Sequence, residues 1–247
     1  MFFDKAKSKD SRASLNHLKS VRYWHRPAGG LNEVILHMQE KRITNPTSLK
    51  KEHLELFIGS CLGMALEQGL NDIFWVARPE SDPPDMLFMT MVSYENGGIK
   101  FHSREVEITR HMHNGSSLYN TIIKKDKAYP EDYVLVCFVE TDGVVDFREL
   151  AESLKNKLTH ISHVFLLFHG VMSTEIEKYV SKSGILSVGY IYSVVQLSPQ
   201  FNHQTIDILK CWEQGRKDNK KLVYSNGTQV YYGLRKGDVD YPKIILP

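Results

Sequence analysis

Three acidic side chains carry the chemistry this chain could perform. Asp85 follows Pro84 at the start of the hydrophobic run 86–92, and Glu105-Val106-Glu107 sits inside a second extended stretch, 101–109. Side chains on a strand alternate between faces, so Glu105 and Glu107 point the same way. Glu95-Asn96-Gly97-Gly98, between the two runs, has the residue types of a hairpin turn. Such a turn folds the second strand back on the first and lets Asp85 approach Glu105. Carboxylates gathered at neighbouring strand ends repel one another unless positive charge lies among them. A divalent cation with oxygen ligands meets that need. The same pattern leaves a second reading open, a solvated strand face with Glu105 and Glu107 paired to Arg104 or Arg110.

The elements that must position these acids follow from hydrophobic period. Residues 1–14, rich in Lys, Ser and Asp, form a flexible basic tail. Arg22-Tyr23-Trp24-His25-Arg26-Pro27-Ala28-Gly29-Gly30 interrupts helix and leads into a short amphipathic helix over 31–41. A stronger helix is expected from Asn45-Pro46-Thr47-Ser48, with Ser48 as cap. Leu54, Phe57, Ile58, Cys61, Leu62, Ala65 and Leu66 lie at helical spacing, and Gly69 is its stop. Strand 73–76, the acidic hairpin (85–93 and 101–109) and a polar helix over 116–127 come next. The unbroken apolar runs 133–139 and 164–168 predict buried strands, with a covering helix between them marked by Phe147, Leu150, Leu154 and Leu158. Further on, the pattern predicts a helix over 174–183, a strand over 189–195, a helix over 205–216 and a hairpin over 222–234. The alternation implies an α/β fold with a mixed sheet, in one domain spanning 15–247. Its core covers about 50–170, with a helical extension before it and an elaboration at 171–247 that contains the hairpin.

The totals set bounds. Of 247 residues, 42% are hydrophobic and 24% charged, which suits a globular protein with a real core. A net charge of +2 is too small to demand a nucleic-acid partner and does not oppose one. Cys61, Cys137 and Cys211 form no CxxC pair; the first two lie in apolar runs and read as reduced core residues. No signal peptide and no run of bilayer-spanning length is evident, so a cytoplasmic location without membrane contact is expected. Gly59-Ser60-Cys61-Leu62-Gly63 has the spacing of a nucleophile elbow, but it lies within a helical pattern, where small residues permit close packing. His111, His113, His160, His163 and His169 form no tetrahedral zinc set, and His111 and His113 read as exposed strand-end residues. Lys210, Arg216, Lys217, Lys220 and Lys221, interleaved with tyrosines, suit equally a phosphate-tracking surface and a solvated face.

With Pro84-Asp85 and Glu105-Val106-Glu107 on a hairpin between a helix and two buried strands, the region 50–170 resembles the PD-(D/E)xK nuclease superfamily, the restriction-endonuclease-like fold. The resemblance implies a metal-dependent endonuclease acting on DNA, of restriction or genome-defence type, and a homodimer. It places Mg²⁺, or Mn²⁺ as substitute, on Asp85, Glu105 and the backbone carbonyl of Val106. It also calls for a further acid from the preceding helix: Glu55 first, Glu67 or Glu52 as alternatives. The family's lysine is replaced by Glu107, as in a minority of restriction enzymes with Glu-x-Glu. Glu107 would then act as base or additional metal-site acid. Lys100, Lys124 or Lys125 could supply the missing charge. The alternative function is a nuclease-fold protein without catalysis that binds nucleic acid or serves as an assembly subunit.

Overall fold

The computed structural model describes residues 17, 20, 21, 23–80, 83–93, 99–112, 117–129, 132–140, 144–170, 178–180, 191–218, 223–225, 229–232 and 243–245. Contacts group the chain into two compact units, Met1–Glu105 with Leu209–Pro247, and Val106–Ile208. The first holds strand β1 (Tyr23–Trp24), helix α1 (Pro27–Lys41), a 3-10 turn (Pro46–Ser48), helix α2 (Lys51–Leu70), and strands β2 (Phe74–Ala77) and β3 (Met86–Ser93). Strand β4 (Ile99–Met112) begins in it. The second unit continues with α3 (Leu118–Asp126), β5 (Tyr133–Glu140), β6 (Val144–Asp146), α4 (Phe147–Leu154) and β7 (Ile161–His169). It closes with β8 (Lys178–Val180), β9 (Ile191–Ser198) and β10 (Asn202–Asp207). Helix α5 (Ile208–Asp218) and strands β11 (Val223–Ser225), β12 (Gln229–Tyr232) and β13 (Lys243–Ile245) then belong to the first unit.

Seven strands form one mixed sheet in the order β10-β9-β7-β5-β4-β3-β2. The β4–β5 and β5–β7 pairs are parallel, while β2–β3, β7–β9 and β9–β10 are antiparallel. The fold is therefore α/β. Smaller sheets join β1-β11-β12-β13 and β6-β8. Strands β5 and β7 are buried along almost their whole length, as their unbroken hydrophobicity requires. Phe147 and Phe168 stack at 5.1 Å within the second unit's core.

Several boundaries differ from expectation for local reasons. Helix α1 starts at Pro27 rather than at 31, because proline's fixed φ suits the first helical turn and burial of Ala28, Gly29, Gly30 and Leu31 holds the segment helical. Around 45–50, Asn45 caps a separate 3-10 turn, and α2 begins only at Lys51 without a side-chain cap. That helix ends at Asn71 in the left-handed region (φ 52°), not at Gly69. Residues 54–66 of α2 are all buried, so tertiary packing and not an amphipathic face sustains it. The helix expected over 174–183 is a strand where it is described, Lys178–Val180 paired with β6. The helix expected over 205–216 begins at Ile208, and 202–207 pair with β9. The C-terminal hairpin is present, with Val223 opposite Tyr232, though its turn lies outside the described residues, as does the 94–98 connection of the acidic hairpin. Among the described residues no helix is long and apolar enough to cross a membrane.

Candidate metal centre

The centre begins with a close approach of α2 to β3. A Cβ built on Gly59 would lie 2.7 Å from Met86 Cε and 3.3 Å from Cγ, so only a glycine permits this separation without Met86 moving. Glu55 precedes Gly59 by one helical turn on the same face, and Asp85 precedes Met86. Packing Gly59 on Met86 thus carries the Glu55 carboxyl to that of Asp85. Both side chains are only 5% exposed.

Two cations attend this acid pair. Arg78, just past the end of β2, donates from Nε to Glu55 Oε2 at 2.8 Å. Lys51, one turn before Glu55, places its ammonium 3.4 Å from Glu55 Oε1 and 3.4 Å from Asp85 Oδ1, while its side chain remains 61% exposed. Burial pushes the Glu55 carboxyl up, the Arg78 hydrogen bond opposes this, and Asp85 raises it again by charge and by hydrogen bonding. Lys51 pulls the other way, and the result is about 7. Glu55 Oε1 is buried and has the Lys51 ammonium at 3.4 Å as its ion partner, without an aligned hydrogen bond.

Glu105 and Glu107 lie on β4, and each has its own engagement. Glu105 Oε1 is 2.6 Å from His17 Nδ1, with 14% of the Glu105 side chain exposed. Val106 is fully buried and stands opposite Val134 in the parallel β4–β5 pairing. In the second unit, Glu107 Oε1 receives the Tyr129 hydroxyl in a short hydrogen bond and the Lys125 ammonium at 3.2 Å. Lys125 also stands over the Tyr129 ring, 5.3 Å from its centroid. A lysine of α3 therefore neutralises Glu107. Arg110 does not compensate either glutamate as a solvated face would have it; it forms a two-pronged pair with Glu140.

The other sequence candidates have structural work. Glu67 accepts from Arg26 at 2.9 Å and from the backbone N–H of Phe74 at 3.1 Å, tying α2 to the start of β2. Glu52 is exposed beside His53. His111 is buried, with Nδ1 3.3 Å from the Thr121 hydroxyl, not an exposed strand end; His113 lies outside the described residues. His160 Nδ1 contacts the carbonyl oxygen of Asp126. Lys51, Arg78 and Tyr129 were not anticipated. Lys51 and Glu55 at i, i+4 are a legible helix pair, whereas nothing local marks Arg78 or Tyr129.

The chain matches no family model, no curated protein and no solved structure. Among the described residues no group of three or more His, Cys, Asp or Glu side chains is gathered so that it could hold a metal ion. A magnesium ion needs less than that. It commonly takes one or two protein carboxylates and completes its shell with water and substrate phosphate. Glu55 and Asp85 fit that requirement: two buried acids with one partly exposed ammonium 3.4 Å from each.

Proposed function

We propose that the protein is a metal-dependent endonuclease of restriction-endonuclease-like fold, hydrolysing DNA phosphodiester bonds in restriction or genome defence. The observation that carries this reading is the buried Glu55–Asp85 pair bridged by the Lys51 ammonium. Asp85 and Glu55 would hold Mg²⁺, with Mn²⁺ as substitute, and the resemblance adds Glu105 and the Val106 carbonyl. The bound ion would polarise the phosphate and lower the pKa of water. Lys51 has to leave the acids for this, which its exposed stem allows. Arg78 keeps Glu55 oriented. Glu107 would accept the proton of the attacking water, its carboxylate held in one orientation by the Lys125 and Tyr129 donors. A cytoplasmic location and a homodimer that cuts both strands complete the proposal.

One observation favours a second reading. Lysine and arginine already compensate the Glu55–Asp85 pair and lysine compensates Glu107, as in a nuclease fold that binds nucleic acid or assembles with a partner without cutting. Plasmid incubated with the protein and Mg²⁺ or Mn²⁺ separates the two. Metal-dependent nicking, lost in Asp85→Ala and Glu105→Ala, is expected. Retention of DNA without nicking in either metal would leave the second reading. Glu107→Lys probes the motif position: restored or enhanced cutting is the expected result if that side chain stands where the family has its lysine.

A further inference from the structure

A cavity of about 240 Å³ lies in the first unit, lined among others by Tyr23, His25, Glu33, Glu52, His53 and Arg78. Arg78 is the same residue that holds Glu55 Oε2. We propose that this cavity receives a nucleobase whose edge donates hydrogen bonds, cytosine or adenine, from the strand undergoing cleavage. The proposal rests on the nuclease reading and gives that site its substrate class: a strand with an unstacked, amine-bearing base beside the scissile phosphate.

Size is the first argument. The cavity falls below the several hundred cubic ångströms of pockets for drug-sized ligands, and suits a single heterocycle. Its walls are planar where a base needs planes. Tyr23 is 43% exposed. The His53 ring is fixed by stacking on His37, with centroids 3.8 Å apart and planes 7° from parallel. Base–aromatic stacking is the usual way a protein holds an unstacked nucleotide.

Charge decides which part of a nucleotide enters. Glu33, Glu52 and Glu80 line the cavity beside the single guanidinium of Arg78. His25 Nδ1 lies 3.7 Å from Glu33 Oε2 and His53 Nδ1 3.9 Å from Glu52 Oε1, so the two rings face carboxylates of the same lining. Burial lowers the His25 ring below its ordinary value against the opposing charge of Glu33, so it adds no positive charge at neutral pH. A phosphate is repelled by such a lining. An exocyclic amine is welcomed, because a glutamate carboxylate accepts from cytosine N4 or adenine N6. Thymine presents a carbonyl at the equivalent place and would set acceptor against acceptor.

The test needs neither metal nor turnover. Metal-free protein is titrated with 2′-deoxycytidine, 2′-deoxyadenosine and thymidine while the ring C–H resonances of His25, His37 and His53 are followed by NMR. Saturable shifts at His53 and His25 are expected with the two amine-bearing nucleosides, about tenfold tighter than with thymidine. Glu52→Gln, at a half-exposed position that folding does not need, should bring cytidine down towards the thymidine affinity. His53→Ala should weaken all three. Asp85→Ala, which removes the metal pair, should leave the preference intact, so an inert metal centre and a failed base pocket give different results. Equal affinities for the three nucleosides, or shifts confined to residues outside the cavity, overturn the proposal.

Discussion

Glu55 is the residue on which acid–base behaviour concentrates. Its carboxyl holds a proton up to about pH 7 in the folded chain, against an ordinary value of 4.5. A raised acid contributes stability that is complete below the ordinary value and is lost as pH rises through 7. Glu55→Gln removes that loss. Thermal melts of the metal-free proteins should therefore show the variant above the parent at pH 8 and level with it at pH 5, by a few degrees, given about 2–4 °C per kcal/mol for a chain of this size. For the same reason Mg²⁺ should raise the parent's melting temperature more at pH 8 than at pH 5.5, and should do so scarcely at all in Asp85→Ala. Asp126, at the end of α3, shows the opposite arrangement. Burial pushes its carboxyl up, but the N–H groups of Ile161, Thr159 and His160 and the Thr159 hydroxyl outweigh that and hold it below the usual range. Asp126→Ala leaves those donors at the start of β7 without their acceptor. A loss of about 3 kcal/mol, or roughly 6–12 °C in melting temperature, is expected. Nothing in the sequence marks Asp126, because its partners lie more than thirty residues away.

At the scale of elements, glycine spacing sets the helix approaches, and the two sites differ in what opposes a methyl group. A Cβ on Gly59 meets the flexible end of Met86, whereas one on Gly215 of α5 would lie 2.0 Å from the Ala28 carbonyl oxygen of α1. A backbone oxygen cannot step aside. Gly215→Ala should therefore cost more than Gly59→Ala, at or above the upper end of the roughly 1–3 kcal/mol typical of overpacking, as read by denaturant unfolding. Gly59→Ala should cost less stability but weaken Mg²⁺ binding, because it moves Glu55 away from Asp85. Elements whose signal is local were legible. The apolar runs of β5 and β7 and the helical spacing of α2 specify structure from neighbouring residues. Where strand pairing decides the outcome, period alone misled: 205–207 joined β9 as part of β10 instead of opening a helix. Within the candidate site, Glu55 shares Lys51 with Asp85 whereas Glu67 pairs with Arg26, and Arg78 and Tyr129 depend on three-dimensional neighbours that no spacing rule reports.

At the scale of the whole molecule, the first unit is discontinuous, built from residues 1–105 and 209–247. Its Cys61 and Cys211 are both buried, and Gly215 sits on Ala28, so helix α5 completes a core and does not decorate one. A chain ended after Ile208 should lose the cooperative melting of the first unit, seen as a transition lower by more than about 5 °C or as insolubility. The Lys51 ammonium has a further bearing on how such a molecule matures. Held between two acids on a solvent-exposed stem, it offsets their charge so that the newly made chain can close its core with no ion bound. If the proposed Mg²⁺ binds, loading would be an exchange of one counter-charge for another, and its rate should follow the swing of a lysine instead of the opening of a fold.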